Sequence, residues 1–303
     1  MDKIIVDSYD NKGEWINMSG TYVHVGELQT PEEAGMAFTE ENAERSEHNL
    51  TGASISGAEE NGEKEQTNSA ANPSYFEYTD SITEKTGAVC MLHYGEVGVI
   101  SGIHCGFKRV YDIYPKLKDM MTSIGNGGEF LPGEAAKYTM SLFDAQINFN
   151  PDYFGRTAEF YREIHSYNIS NKEFPVGTDW TSVVDHETAH LIDQALSMQF
   201  SQGKFRILDG TTHFSYKLKE QVLRDLGISN TPESIKNELS NYANASASDF
   251  MAEALREYTN SVTPRRVAQA VGSIVDEHMD RDWTVIGADG AVYASMWELV
   301  KNL

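Results

Sequence analysis

The sequence predicts an α+β fold, in which short strands come first and most of the helices follow. Three apolar runs near the N-terminus, Ile4–Val6, Trp15–Met18 and Thr21–Val25, are separated by turn residues, as expected of strands. From residue 181 onward, apolar side chains recur at helical spacing instead. Because strands and helices are segregated along the chain rather than alternating, the pattern favours α+β over a parallel α/β sheet.

Composition divides the 303 residues into three regions. Residues 1–37 form an N-terminal β-rich region. Residues 38–74 are rich in Glu, Asn, Ser, Gly and Ala and nearly free of large apolar side chains, so we expect an acidic, disordered linker. Residues 75–303 carry enough apolar side chains to build one large domain with its own core.

Within the large region, strands are expected before the helices. The Gly-punctuated apolar pattern at 87–103 suggests a hairpin, and the spacing over 107–122 predicts an amphipathic helix. Apolar and polar residues alternate in Ala145–Phe149, which predicts a strand. Further helices are predicted at 181–198, 215–226, 232–241, 248–261 and 264–279, the last with Thr263 as N-cap and Pro264 at its first position.

Charge and apolar runs exclude several classes of protein. The chain has 24 Lys and Arg against 46 Asp and Glu, a formal net charge of −22, so it is a poor candidate for binding nucleic acid or anionic membranes. Its longest apolar runs fall far short of the roughly 20 residues that cross a bilayer. The N-terminus lacks the apolar stretch of a signal peptide, and two cysteines do not make a disulfide framework.

Residues 186–190 read His-Glu-Thr-Ala-His, and this motif carries the chemistry. On a helix, His186 and His190 lie one turn apart on the same face, so both imidazoles can reach one metal ion. Glu187, beside them, can hold and deprotonate a water molecule. The pattern predicts a Zn²⁺ site with Glu187 as the catalytic residue.

The surrounding helix supports this reading of the motif. At about 100° per residue, His186, His190 and Asp193 fall within roughly 60° of one another. Apolar or small side chains cluster on the opposite side, so we expect one face to pack in the core and the other to present the histidines. Asp193 is expected either to accept a ring N–H or to be an ordinary solvated charge.

A third metal ligand is expected on the helix 248–258. Its apolar face leaves Glu253 and Asp249 pointing away from the core side, with Glu257 on the border. We favour Glu253 as the ligand, with Asp249 as the rival and Glu257 as a further candidate. An ordinary acidic helix face, common in a chain this acidic, is the alternative.

These two motifs resemble the zincin metallopeptidases of the gluzincin type, in which a downstream helix supplies a Glu ligand. The resemblance rests on residues 186–190 and 249–253. Residues 145–279 are similar to the metallopeptidase-like domains associated with phage minor head proteins and prophage toxins. Those domains often carry Glu where this chain has Asp249. The resemblance implies a zincin-like fold, a cytoplasmic or virion-associated protein, and strand 145–149 as the edge strand that pairs with an extended peptide.

The implied function is a zinc-dependent endopeptidase acting on a protein or peptide through a metal-activated water. His213, Tyr242 and Tyr258 are the candidate donors to the oxyanion that forms. Two alternatives stay open: a structural or interaction module that keeps the zincin fold without turnover, and a toxin or effector protease with a narrow target.

Overall fold

The computed structural model describes residues 14–18, 21–25, 74–92, 96–130, 134–140, 144–200, 214–286 and 290–301. The predicted strand at 4–6 and the predicted linker, up to residue 73, lie outside these ranges. The chain divides into two compact units near residue 73. Strands β1 (Glu14–Met18) and β2 (Thr21–Val25) pair in a two-stranded sheet, which confirms the two strands predicted there.

A four-stranded sheet forms one side of the larger unit, residues 73–303. Its strands are β3 (Val89–Met91), β4 (Ser123–Gly125), β5 (Ala136–Met140) and β6 (Ala145–Phe149), in the spatial order β3-β4-β6-β5. β3, β4 and β6 are parallel, whereas β5 runs antiparallel to β6. The expectation that 145–149 is an edge strand is wrong: β6 is paired on both sides, and β5 is the edge.

Helices make up most of the remaining described chain, so the α+β class is confirmed. The helices are α1 (Tyr75–Thr86), α2 (Val97–Ile113), α3 (Pro151–Phe154), α4 (Ala158–Ser170), α5 (Val183–Phe200), α6 (Phe214–Asp225), α7 (Pro232–Glu238), α8 (Ala247–Asn260), α9 (Arg266–Asp280) and α10 (Met296–Lys301). A short antiparallel pair, β7 (Val285–Ile286) and β8 (Val292–Tyr293), precedes α10. None of the described helices is both long enough and apolar enough to cross a membrane.

Three element predictions need correction. Residues 87–103 do not form a hairpin, because β3 is followed by α2. The helix predicted at 107–122 ends at Ile113, where Pro115 begins a separate 3₁₀ turn. α9 begins at Arg266 rather than Pro264: the backbone N–H of Arg265 donates to Glu257 Oε1 at 2.7 Å, and Arg265 occupies the N-cap position.

Helix α5, which carries the His-Glu-Thr-Ala-His motif, lies in the middle of the unit. Two glycines let α2 approach α5 and the 3₁₀ turn before it: a Cβ on Gly106 would lie 2.7 Å from the Cβ of Val184, and one on Gly102 would overlap the ring of Trp180 in that turn. α8 also packs against α5. The face that presents the two histidines therefore lies against another helix, and their side chains are only 6 % and 15 % exposed.

Candidate metal centre

Helices α5 and α8 bring two imidazole nitrogens and one carboxylate oxygen together. His186 Nε2 and His190 Nε2 are 3.2 Å apart, and Asp249 Oδ1 lies 3.7 Å from the first and 3.8 Å from the second. The histidines come from one turn of α5, as their spacing predicts. Asp249 lies in the first turn of α8, which Ser246 caps by accepting a hydrogen bond from the Asp249 N–H.

A carboxylate fixes the orientation of His186. Its Nδ1 lies 2.8 Å from Glu253 Oε1. Because an ionised carboxylate only accepts hydrogen bonds, Nδ1 carries a proton, and in the neutral ring the Nε2 lone pair points toward the cluster, as a metal ligand requires. Glu253 is itself held, since Ser240 Oγ donates to its Oε2 at 2.9 Å.

A serine hydroxyl orients His190 in the same sense. Ser248 Oγ lies 2.9 Å from His190 Nδ1 and donates to Asp193 Oδ2, also at 2.9 Å. With its proton donated to Asp193, the hydroxyl accepts from Nδ1–H, and Nε2 of His190 faces His186 across the cluster. Asp193 is buried and also binds Ser215, so it is not the solvated charge that we considered, and Ser248 links it to His190.

The cluster therefore consists of two imidazole nitrogens and one carboxylate oxygen that face one another. Asp249 Oδ1 is buried and has no hydrogen-bond partner, whereas the other carboxylate oxygen accepts from Ser246 Oγ. A buried acceptor without a donor costs about 1–3 kcal/mol. A cation placed among the three atoms would satisfy all of them, and among the described residues these three side chains have the geometry to hold a metal ion.

The spacing of the three atoms agrees with tetrahedral coordination. Bonds of about 2.0–2.2 Å at tetrahedral angles place neighbouring ligand atoms roughly 3.3–3.6 Å apart. The separations of 3.2, 3.7 and 3.8 Å bracket that range and differ from it by tenths of an ångström. Three protein ligands leave a fourth position open.

The expected third ligand needs correction, because the carboxylate that reaches both Nε2 atoms belongs to Asp249. Glu253 lies one turn further along α8 and contacts the opposite nitrogen of His186. The two residues share a helix face, so their order depends on how α8 crosses α5. Glu257 lies outside the cluster, where its two oxygens accept hydrogen bonds from Arg265.

Glu187 lies beside the cluster, with only 6 % of its surface exposed. Burial raises the pKa of its carboxyl to about 7, although His186, where it is protonated, and a hydrogen bond from the backbone of Tyr138 act in the opposite direction. Tyr138 belongs to the edge strand β5, and its ring stacks on His190 with centroids 6.3 Å apart. The edge of the sheet and the histidine motif thus meet at Glu187.

Burial and neighbouring charges have opposite effects on the pKa values of Asp249, Glu253 and His186. Burial raises the pKa of Asp249 to about 6, against the lowering effects of His186 and Ser246. Burial also opposes ionisation of Glu253, but Arg256 and His186 outweigh it and lower the pKa of that carboxyl. For His186, burial lowers the pKa, and the hydrogen bond and charge of Glu253 raise it further than burial lowers it.

The three candidate oxyanion donors differ in position. His213 lies outside the described residues. Tyr242 lies close, with its ring edge-on to His186 and the centroids 5.4 Å apart. Tyr258 donates its hydroxyl to Asp276 of α9 at 2.7 Å, which commits that proton to the packing of two helices. Tyr242 is therefore the candidate that the structure brings to the cluster.

Sequence reasoning missed Tyr138, Ser248 and Arg256. Ser248 directly precedes the acidic motif of α8, and a hydroxyl at that place was a detectable signal for a partner of His190. Tyr138 and Arg256 gave no such signal, because their roles depend on pairing across the sheet and between helices.

Comparison of the chain with family models, with curated proteins and with solved structures finds no match.

Proposed function

We propose that this protein is a zinc-dependent endopeptidase with a zincin-like active site. His186, His190 and Asp249 hold the cation, and Glu187 is the catalytic acid–base residue. The observation that supports this most strongly is the convergence of two imidazole nitrogens and one buried carboxylate oxygen that has no hydrogen-bond partner, next to a buried glutamate. A peptidase needs this combination of an open metal position and a proton carrier.

The donor set favours Zn²⁺ over the harder cations. Two neutral imidazoles and one carboxylate suit zinc, whereas Mg²⁺ and Ca²⁺ select oxygen ligands. With two ligands from one helical turn and the third from α8, the site is built on rigid elements. When bound, the ion would supply Lewis acidity to a water molecule and to the carbonyl that the water attacks.

Glu187 would move the proton in this reaction. Its carboxylate accepts a proton from the attacking water and passes it to the nitrogen of the leaving amine. The pKa of about 7, raised by burial, suits a group that must take up and release a proton near neutrality. Tyr242, beside His186, is the candidate hydroxyl donor to the developing oxyanion.

The edge strand β5 would bind the peptide. Its partner on one side is β6, and at its centre Tyr138 reaches both Glu187 and His190. An extended peptide that adds to this edge would pass beside Glu187, with its main chain hydrogen-bonded to the strand. We assign this role to β5 instead of strand 145–149.

Substitution of Glu187 tests the proposal. The full chain, loaded with Zn²⁺, is incubated with a library of unstructured peptides, and cleavage is read by mass spectrometry. Glu187→Gln should keep about one zinc per chain and lose about 10²–10⁴-fold in cleavage rate. Glu163→Gln, an exposed glutamate of α4, is the matched control and should keep both zinc and activity.

Three outcomes separate the possibilities. Full activity of Glu187→Gln would refute the proposed mechanism. Zinc binding with no cleavage by any version of the chain would favour a non-catalytic module with a structural metal. Cleavage confined to very few library members, together with toxicity of the native chain on expression, would favour a protease with a narrow target.

A further inference from the structure

We propose that Arg256 is a positioning residue of the metal centre: it acts through Glu253 to hold His186, and so sets the affinity of the chain for a divalent cation. This inference rests on the proposed function in one respect, since it takes His186, His190 and Asp249 as cation ligands. It does not depend on whether the loaded protein cleaves peptides.

Arg256 and His186 meet at a single carboxylate oxygen. Arg256 Nη1 lies 3.2 Å from Glu253 Oε1, the same oxygen that lies 2.8 Å from His186 Nδ1. The side chain of Arg256 is only 4 % exposed, and that of Glu253 is fully buried. Because water does not screen this contact, the guanidinium charge acts strongly on Glu253.

Neutral groups fix the guanidinium on its other sides. Its Nε donates to Ser182 Oγ at 2.8 Å, and its Nη2 lies 3.3 Å from His165 Nδ1. The group also lies over the ring of Phe174, 4.0 Å from the centroid. These contacts hold Arg256 in place without competing for its charge, so its charge-assisted hydrogen bond goes to Glu253.

Arg256 also offsets part of the negative charge that is buried around the cluster. Asp249 and Glu253 are buried acids, and Asp193 is joined to His190 through Ser248. Lys219 acts on Asp249, whereas Arg256 is the cationic group in contact with Glu253. Without Arg256, Glu253 would lose a partner that stabilises its anion.

A second arginine–glutamate pair, between α8 and the start of α9, provides a control. Arg265 binds Glu257 through its backbone N–H and its guanidinium, and Glu257 is fully buried. This pair does not touch either histidine. Loss of Arg265 should therefore lower stability without changing cation affinity, whereas loss of Arg256 should change affinity.

The test measures cation binding by the full chain. Affinities for Zn²⁺ and Co²⁺ are measured by competition with a chromophoric chelator, and the visible spectrum of bound Co²⁺ reports the geometry of the ligands. We expect Arg256→Gln to bind about 10–100-fold more weakly, the usual effect of losing a partner that orients a ligand. Arg265→Gln should melt at a lower temperature and bind as the native chain does.

A double-mutant cycle tests whether Arg256 acts through Glu253. If it does, Glu253→Gln and the double substitution with Arg256→Gln should weaken binding to nearly the same extent. Fully additive losses would overturn the inference. Should Arg256→Gln fail to fold, Arg256→Lys replaces it: an ammonium lacks the planar fork of donors that binds Ser182 and Glu253, so we expect about 3–10-fold weaker binding. Unchanged affinity in that variant would equally overturn the inference.

Cation binding and peptide cleavage together separate a failure of the role of Arg256 from a failure of the proposed function. If the native chain binds neither ion, both fall together. If it binds an ion and cleaves nothing, the affinities of the variants still decide the role of Arg256. If it binds an ion and Arg256→Gln binds equally tightly, this inference alone is wrong.

Discussion

The two halves of α8 bury their carboxylates in opposite ways. Near its start, Asp249 turns one oxygen toward two imidazole lone pairs, and that oxygen has no hydrogen-bond donor. Two turns later, Glu257 is equally buried, and Arg265 donates to both of its oxygens. Glu253 lies between them and shares one oxygen between His186 and Arg256.

This comparison shows that burial of an acid is a poor indicator of a functional site. Asp249 and Glu257 have the same solvent exposure, 0 %. They differ in whether their hydrogen-bonding capacity is met by the protein itself. Glu257 belongs to a satisfied ion pair that holds two helices, whereas Asp249 retains an unused acceptor that a cation would complete.

The largest effect on stability is expected near the end of α8, where Glu257 is paired with Arg265. Glu257→Gln removes the charge that Arg265 faces and leaves that guanidinium with a weaker acceptor. We expect the free energy of unfolding to fall by about 3 kcal/mol or more, since breaking one side of a buried pair is strongly destabilising. Urea unfolding measures the loss, and zinc affinity should stay native. A stability change below about 0.5 kcal/mol would contradict our account of this pair.

A gain in stability is expected near the start of α8, where Asp249 Oδ1 has no hydrogen-bond donor. In the metal-free chain, Asp249→Asn removes a buried charge, one oxygen of which has no donor, and introduces an amide N–H, so stability should rise by about 1–2 kcal/mol. The same substitution removes a ligand and should abolish tight zinc binding. Thermal melts in chelator and in zinc measure both effects. A metal-free variant that is clearly less stable than the metal-free native chain would show that Asp249 is a structural acid.

The smallest effect concerns His165, the neutral partner of Arg256. Burial, followed by the charge of Arg256, lowers its pKa to about 3, whereas the unfolded chain takes up a proton near pH 6.5. The unfolded state therefore binds more protons below pH 6.5, and stability is lost as the pH falls from 6.5 toward 3. As the pH falls from 7 to 5, this proton uptake lowers the free energy of unfolding by about 1–2 kcal/mol.

His165→Gln isolates this contribution, because the other titrating groups are common to both chains. The difference in unfolding free energy between the native chain and the variant should shrink by about 1–2 kcal/mol as the pH falls from 7 to 5. A difference that does not change with pH would mean that His165 is not held neutral, and that it does not serve as an uncharged anchor for Arg256.

The histidine motif could be predicted from sequence because it depends on one helix. The spacing of His186 and His190 fixes their common face wherever that helix lies. The third ligand could not be chosen, because Asp249 and Glu253 share a face of α8. Only the crossing of α8 over α5 decides which carboxylate meets the Nε2 atoms, and that crossing results from long-range packing.

The errors in the fold also arise from long-range contacts. Strand 145–149 was predicted from its alternation, but its place in the sheet depends on pairing with β4 and β5. The Gly-rich start of α2 suggested turns, whereas Gly102 and Gly106 serve close contact with Trp180 and Val184. Single-chain periodicity does not reveal what a glycine faces.

The hairpin of β5 and β6 constrains how this enzyme candidate can vary in length. Five consecutive pairs, from Ala136 with Phe149 to Met140 with Ala145, set the register that stacks Tyr138 on His190. Successive side chains of a strand alternate between faces, so one residue inserted within β5 would turn Tyr138 away, whereas two would restore the parity. Homologous chains that retain the histidine cluster should therefore differ in the length of β5 by even numbers of residues. Where the difference is odd, we expect a β-bulge to accommodate the extra residue.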